Sequence, residues 1–287
     1  MRELLLDTPR GRLAALRHGE PGRGPRLLAL HGWLDSAASF IPLAAALPEC
    51  ELVALDFPGH GHSDPRPAGT WYHLPDYLDD VAAALDALGW DRCVLLGHSL
   101  GGAVAALYAA ALPEQAERLV LVESLGPLPF RRGTGAETLQ AALAARRRAG
   151  AKAPRVYPDL AAAIAARRAA NGLSEAAARL LVERGVVSVA GGLTWRSDPR
   201  LTVPTLQRAH EEQVQEWLAA IAAPTLVVAA EPATPGLDAA TRQARFARLR
   251  AARAVVLPGN HHLHLEDAAP VAAAIRAFLS DRPPAGA

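Results

Sequence analysis

The sequence predicts an α/β fold, a mostly parallel sheet flanked by helices, on three observations. Short apolar runs alternate with helical patterns from residue 27 to residue 125 and again from residue 225 onward. The pentapeptide Gly97-His98-Ser99-Leu100-Gly101 follows one such run and opens an alanine-rich stretch, as a sharp strand-to-helix turn requires. Between Gly126 and Ala220 the alternation stops and helical patterns take over, which reads as an insertion.

The elements follow in order. Leu4-Leu5-Leu6 and Leu13 to Leu16 flank Asp7-Thr8-Pro9-Arg10-Gly11, a hairpin pattern. Glu20 to Pro25 is a Gly/Pro loop, and Leu27 to Leu30 is a buried strand ending at His31-Gly32. Ser36 to Leu47 reads as a helix with Ser36 as its cap. Leu52 to Leu55 is the next buried strand, running into the turn-rich Asp56 to Ser63, where His60 and His62 read as hydrogen-bonded loop residues. Leu74 to Leu88 is an amphipathic helix, Cys93 to Leu96 the strand before the pentapeptide, and Leu119 to Val122 a strand ending at Glu123.

Inside the insertion the helical patterns are Ala136 to Arg148, Leu160 to Ala170, Ser174 to Arg184 and Gln207 to Ile221, with a polar loop from Thr194 to Arg200 and no convincing buried strand. Alternation resumes with Thr225 to Ala230, then Thr241 to Leu249, then Ala254 to Leu257, and Pro270 to Leu279 closes the chain as a helix begun at proline. The expected division is a core of residues 1–125 and 221–287 and a helical cap of residues 126–220.

Composition narrows the function classes. The chain has 30 basic and 29 acidic residues, a net charge of +1, which gives no global reason to expect nucleic acid or an anionic membrane as partner. Lys152 is the lone lysine, and the arginine and alanine excess reads as compositional bias. The two cysteines, Cys50 and Cys93, each adjoin a strand and form no disulfide framework. There is no secretory leader pattern at Met1 to Leu6 and no run long and apolar enough to span a bilayer, so the expected compartment is the cytoplasm. The expected partner is a small-molecule substrate, and oligomeric state has no signature here.

The chemistry starts at Ser99. A serine on so tight a turn stands exposed above a helix N-terminus, and Gly97 and Gly101 let strand and helix approach closely. It needs a base, and the base an orienting acid. In this architecture the base belongs in a loop after the last strand, and Pro258 to Glu266 offers three histidines, His261, His262 and His264. Their His-x-His spacing has no cysteine near it and few carboxylates, so no metal site is expected, and a serine nucleophile with its base needs no organic cofactor. The N–H groups of Trp33, after a strand end, and of Leu100, just past the serine, are the candidate oxyanion donors.

These segments together resemble the α/β-hydrolase fold superfamily: Leu30-His31-Gly32-Trp33, Asp56 through Ser63, Gly97 through Gly102, and Gly259-Asn260-His261 through Glu266. Gly32 through Phe40, Gly69-Thr70-Trp71-Tyr72-His73 and Ser197-Asp198-Pro199-Arg200-Leu201 are similar to the serine-hydrolase-like group within it. The resemblance implies an eight-stranded sheet, an inserted helical cap and a serine hydrolase of the carboxylesterase type. A noncatalytic ligand-binding protein, or a carbon–carbon hydrolase or thioesterase on the same residues, is the alternative. It implies Ser99 as nucleophile and, counting back five from Glu266, His261 as base.

The acid departs from the family pattern. The loop after Thr225 to Ala230 reads Glu231-Pro232-Ala233-Thr234-Pro235-Gly236-Leu237-Asp238, without the usual aspartate. Glu123, at the end of the preceding strand, is favoured, with Asp238 and Glu231 as alternatives; chain order admits all three. The expected pocket residues are His98, Trp195, Leu125 and Phe130, with Leu128 beside them, giving an apolar wall for a small to medium acyl substrate. Arg131-Arg132 and Arg146-Arg147-Arg148 read as solvated helix faces.

Overall fold

The computed structural model describes residues 1–129, 135–149, 155–233 and 236–281. The expected pocket residue Phe130, with Arg131 and Arg132, lies outside them.

The chain first forms a hairpin of β1 (Arg2–Thr8) and β2 (Gly11–His18), then β3 (Arg26–Leu30), α1 (Ile41–Ala45), β4 (Glu51–Leu55) and α2 (Asp76–Leu88). β5 (Cys93–His98), α3 (Leu100–Ala111) and β6 (Ala116–Val122) follow. Next come α4 (Gly135–Arg148), α5 (Leu160–Asn171), α6 (Glu175–Gly185), the hairpin of β7 (Val186–Val189) and β8 (Gly192–Trp195), and α7 (Glu211–Ala220). The chain then runs through β9 (Thr225–Glu231), α8 (Ala239–Phe246), β10 (Ala252–Pro258), α9 (Leu263–Glu266) and α10 (Ala268–Ser280).

Eight strands form one sheet in the order β1-β2-β4-β3-β5-β6-β9-β10. β1 and β2 are antiparallel, β2 is antiparallel to β4, and every pairing from β4 to β10 is parallel. The strand order reverses at β3, which lies between β4 and β5. Ligand sites of open α/β sheets form at the carboxyl ends of strands around such a reversal.

Both faces of the sheet are covered, which explains the continuous apolar runs in β3 to β6. Successive side chains alternate between faces. Leu28, Leu30, Val53, Leu55, Leu95 and Leu121 pack with Val81 and Leu85 of α2, Val104 and Tyr108 of α3, and Leu218 of α7. Leu27, Ala29, Leu52, Ala54, Leu96 and Val122 point the other way, onto Leu43 of α1 and Val271, Ile275 and Phe278 of α10. Cys50 and Cys93 are buried free thiols within these layers.

A third apolar cluster lies in the stretch between β6 and β9. Ala163 and Ile164 of α5 meet Ala178, Leu181 and Val182 of α6, together with Tyr157, Leu173 and Leu265 of α9. Arg184 at the end of α6 ties this stretch to the sheet through Asp56, at 2.7 Å, and Glu3, at 2.8 Å.

Three local expectations are corrected. The Ser36 to Leu47 segment is a 3-10 turn (Ala37–Phe40) followed by α1, and the Ser36 side chain caps neither. The stretch between β6 and β9 contains the short hairpin β7–β8, too exposed and too short to register as a buried strand. Thr194 and Trp195 end β8, and Asp198 caps a 3-10 turn over Pro199–Thr202, so the expected polar loop is largely structured.

Arg245 of α8 is fully buried and saturated. Its Nη1 donates to the Leu125 and Pro127 carbonyls at 2.7 and 2.9 Å, and its Nε and Nη2 reach the Glu211 carboxylate of α7. Arg245→Met leaves two carbonyls and a carboxylate without their donor. The expected loss is about 3–5 kcal/mol of unfolding free energy in urea titrations, with Arg245→Lys recovering only part because one ammonium cannot span both partners.

Candidate active site

The site is built at the carboxyl ends of β3, β5 and β6. The non-glycine residues with positive φ among the described residues are Leu34 (59°), Ser99 (51°) and Glu123 (51°), which follow those three strands. Strained backbone of this kind persists only where the surroundings over-determine it, and it concentrates at functional sites.

Ser99 is the hinge between β5 and α3. Its N–H donates to the Val122 carbonyl at 3.1 Å and its carbonyl accepts from Ala103 at 3.0 Å. The crossing is close enough to exclude side chains: a Cβ on Gly101 would drive into the Leu30 carbonyl, and one on Gly97 into the Gly101 backbone. Leu100 is the first residue of α3, so its N–H has no acceptor within the helix and stays available. Trp33, on the neighbouring loop, is half exposed and is anchored by its ring N–H, which donates to the Leu201 carbonyl at 3.0 Å.

Among the three histidines of the last loop, His261 is the one beside Glu123. Its Nδ1–H donates to Glu123 Oε2 at 3.2 Å, while Glu123 Oε1 accepts from the Ala230 N–H at 2.6 Å. The Glu123 side chain is 7 % exposed, and each of its oxygens accepts one of these hydrogen bonds. His262 and His264 are buried behind it.

The other two acids stand elsewhere. Asp238 is exposed and caps α8, accepting from the Thr241 N–H and hydroxyl at 2.8 Å each. These Thr241 bonds hold its carboxyl below the ordinary range. Glu231 ends β9 exposed, and its carbonyl accepts from Gly259.

The expected pocket residues divide as well. Leu125 is 7 % exposed and packs in the main apolar core. Trp195 packs on the cluster of α5 and α6, its ring N–H donating to the Tyr157 hydroxyl at 3.1 Å. His98 is 1 % exposed, beneath the turn, and its Nε2–H donates to the His261 carbonyl at 2.8 Å. Leu128 is half exposed. A cavity of about 480 Å³ opens between the Gly59–Pro65 loop and Arg196–Arg200, and neither Ser99, His261 nor Glu123 lines it.

Sequence reading missed a buried polar group under the turn. Asp35 places Oδ2 3.3 Å from His262 Nε2 and 3.6 Å from His98 Nδ1, and its Oδ1 accepts from Arg167 of α5. Burial opposes the ionised form of Asp35, but His262, His98 and Arg167 together hold its carboxyl well below the ordinary range. The only sequence signal is the short spacing of Asp35 from His31-Gly32. No group of three or more His, Cys, Asp or Glu among the described residues is arranged to hold a metal ion. No helix among them is long and apolar enough to cross a membrane.

His31 and His60 are fixed as neutral rings. His31 Nδ1–H donates to the Gly32 carbonyl at 2.7 Å and Nε2 accepts from the Phe57 N–H at 3.1 Å. His60 donates from Nδ1 to the Pro58 carbonyl. Burial pushes them from 6.5 down to about 4 and about 3. Because the unfolded chain takes up protons first, their contribution is complete above pH 6.5 and is lost as pH falls toward 4. Each gives up about 1.5 kcal/mol between pH 6.5 and 5. Urea unfolding across that range should show a fall of about 3 kcal/mol from the pair, and His60→Asn should remove about half of it.

Comparisons with known proteins place the fold. The family model described as alpha/beta hydrolase fold matches residues 25–268. A serine hydrolase-like protein of Danio rerio is 32% identical over 297 residues, covering 98% of this chain and 89% of that one. The crystal structure of a hypothetical protein from Pseudomonas aeruginosa PAO1 is similar at 40% identity and a TM-score of 0.92, covering 98% of this chain and 100% of that one. A thioesterase domain from the curacin biosynthetic pathway is similar at 26% identity and a TM-score of 0.84, covering 96% and 99%. By its sheet order, its strand–turn–helix at Ser99 and this match over most of its length, the chain belongs to the α/β-hydrolase fold family.

Proposed function

We propose that the chain is a serine hydrolase that cleaves ester or related acyl bonds of a small to medium apolar substrate through an acyl-enzyme. The observation that carries the reading is the Glu123–His261 hydrogen bond beside the turn bearing Ser99. His261 accepts the Ser99 hydroxyl proton at Nε2 as the oxygen attacks the acyl carbon. Glu123 holds Nδ1–H, fixes the tautomer and stabilises the imidazolium that forms. The N–H groups of Leu100 and Trp33 receive the oxyanion of the tetrahedral intermediate. His261 then returns the proton to the leaving group, and water repeats the cycle to release the acid.

The acid comes from the end of β6 rather than of β9. Asp238 is committed to capping α8, and Glu123 already takes an N–H from Ala230 at the end of β9, so the two strand ends and the base form one unit. A noncatalytic role would need His261 to lack an acid partner, and the Glu123 contact weighs against it. Residues 126–220 are read as the cap, with residues 1–125 and 221–287 as the core. The cluster of α5 and α6 over α9, and the contact of Arg167 with Asp35, support a cap seated on the His261 loop. The likeness to a thioesterase domain favours thioesters as a second substrate class on the same residues.

A fluorescent fluorophosphonate should label the wild type covalently, and Ser99→Ala should abolish the signal. Glu123→Gln should slow labelling by as much as ~10⁴-fold, the loss seen when an orienting acid is neutralised, whereas Asp238→Asn should stay within about twofold. Folded wild type that takes no label would sink the hydrolase reading.

A further inference from the structure

The polar group beneath Ser99 has no part in the triad, yet it gathers a carboxylate and three imidazoles out of solvent. Asp35 is 6 % exposed, His98 1 %, His262 4 % and His264 0 %. Space was made for it: a Cβ on Gly32 would stand 2.8 Å from His98 Nδ1 and 2.9 Å from Asp35 Oδ2.

The bonds fix the tautomers. A carbonyl only accepts, so His98 must carry its proton on Nε2 to bond the His261 carbonyl at 2.8 Å. A carboxylate likewise only accepts, so His262 must carry a proton on Nε2 to meet Asp35 Oδ2 at 3.3 Å. The His262 N–H donates to Asn260 Oδ1 at 2.8 Å. His264, whose ring nitrogens have no hydrogen-bond partner among the described residues, lies with its ring 4.2 Å from that of His98 and walls the cluster off. The dipeptide His261-His262 is therefore gripped at the carbonyl of one residue and the ring of the other. The counter-charge to Asp35 comes from Arg167 of α5, in the stretch between β6 and β9.

We infer that Asp35, His98 and Arg167 are positioning residues that set the His261 loop in its working geometry, with Arg167 making that geometry depend on the seating of α5. This rests on the reading of His261 as the general base. None of the three touches the reacting atoms. Asp35 holds the ring of His262, His98 holds the backbone of His261, and Arg167 keeps Asp35 ionised and in place. Without Arg167 the buried carboxylate loses its guanidinium counter-charge, and the His262 ring loses its fixed acceptor.

Two measurements test it. Long-range proton–nitrogen NMR of the histidine rings in the wild type should show a proton on Nε2 of both His98 and His262, and Asp35→Asn should shift the His262 ring signals. With p-nitrophenyl acetate as substrate, Arg167→Gln and Asp35→Asn should lower kcat about 10- to 100-fold, the range of a misplaced catalytic group, and leave KM within about twofold. Arg167→Lys should recover most of the Arg167→Gln loss, because it restores the charge. Active sites are counted by fluorophosphonate titration, so that loss of folded protein is divided out. A wild-type kcat in Arg167→Gln, a loss that disappears on that normalisation, or an Nε2 of His98 or His262 that carries no proton would overturn the inference. Should Asp35→Asn fail to fold, the Arg167 pair decides alone. Should the wild type show neither label nor turnover, the base reading itself has failed, and the ring tautomers still report whether Asp35 and His98 grip the loop.

Discussion

The close crossing of α3 over the ends of β3 and β5 is the constraint on which the rest depends. The Gly101 N–H donates to the His31 carbonyl at 3.0 Å, and no side chain fits at Gly97 or Gly101. That contact forces Ser99 into its positive-φ conformation and leaves the first amide of α3 facing outward. The same crossing brings the loop after β3, which carries Trp33 and Asp35, against the turn. Loosening it would move the serine, the amide of Leu100 and the Asp35 cluster together, because all three hang from one backbone contact.

Around that crossing the sheet supplies directions rather than chemistry. Parallel strands place β3, β5, β6 and β9 with their carboxyl ends on one edge, so residues far apart in sequence meet there. Glu123 and His261 are 138 positions apart, and Asp35 and Arg167 are 132 apart. A buried carboxylate is tolerated at each place only because donors surround it. Glu123 has a backbone N–H and a histidine among its donors, and Asp35 has an arginine and the His262 imidazole. The two carboxylates lie on either side of the His261 loop, one holding the ring of His261 and the other its neighbour.

The motifs of the serine-hydrolase-like group also find a physical meaning away from the serine. Tyr72 donates its hydroxyl to Asp198 at 2.8 Å, and Arg200 clasps Asp198 while donating to the carbonyls of Arg66, Pro67 and Thr70. The Trp71-Tyr72-His73 and Asp198-Pro199-Arg200 segments are thus two halves of one clamp between the sheet's loops and the stretch before β9. Their shared presence in the sequence is explained by this contact.

The sequence by itself determined the strands, the turn and the family, because these are local. Continuous apolar runs in β3 to β6 need burial on both faces, and a glycine-flanked serine between a strand and a helix has few other folds to occupy. It also placed Ser99 and His261 by position in motifs. It favoured Glu123 over Asp238 and Glu231 as the acid, but chain order admits all three; the register of β6 beside β9 is what sets Glu123 next to the His261 ring, while Asp238 caps α8. Nor could it see the Asp35 cluster or the burial of His98. Those depend on how four separate segments pack at one sheet edge, and a pattern along the chain carries no information about which distant charge will compensate a buried one.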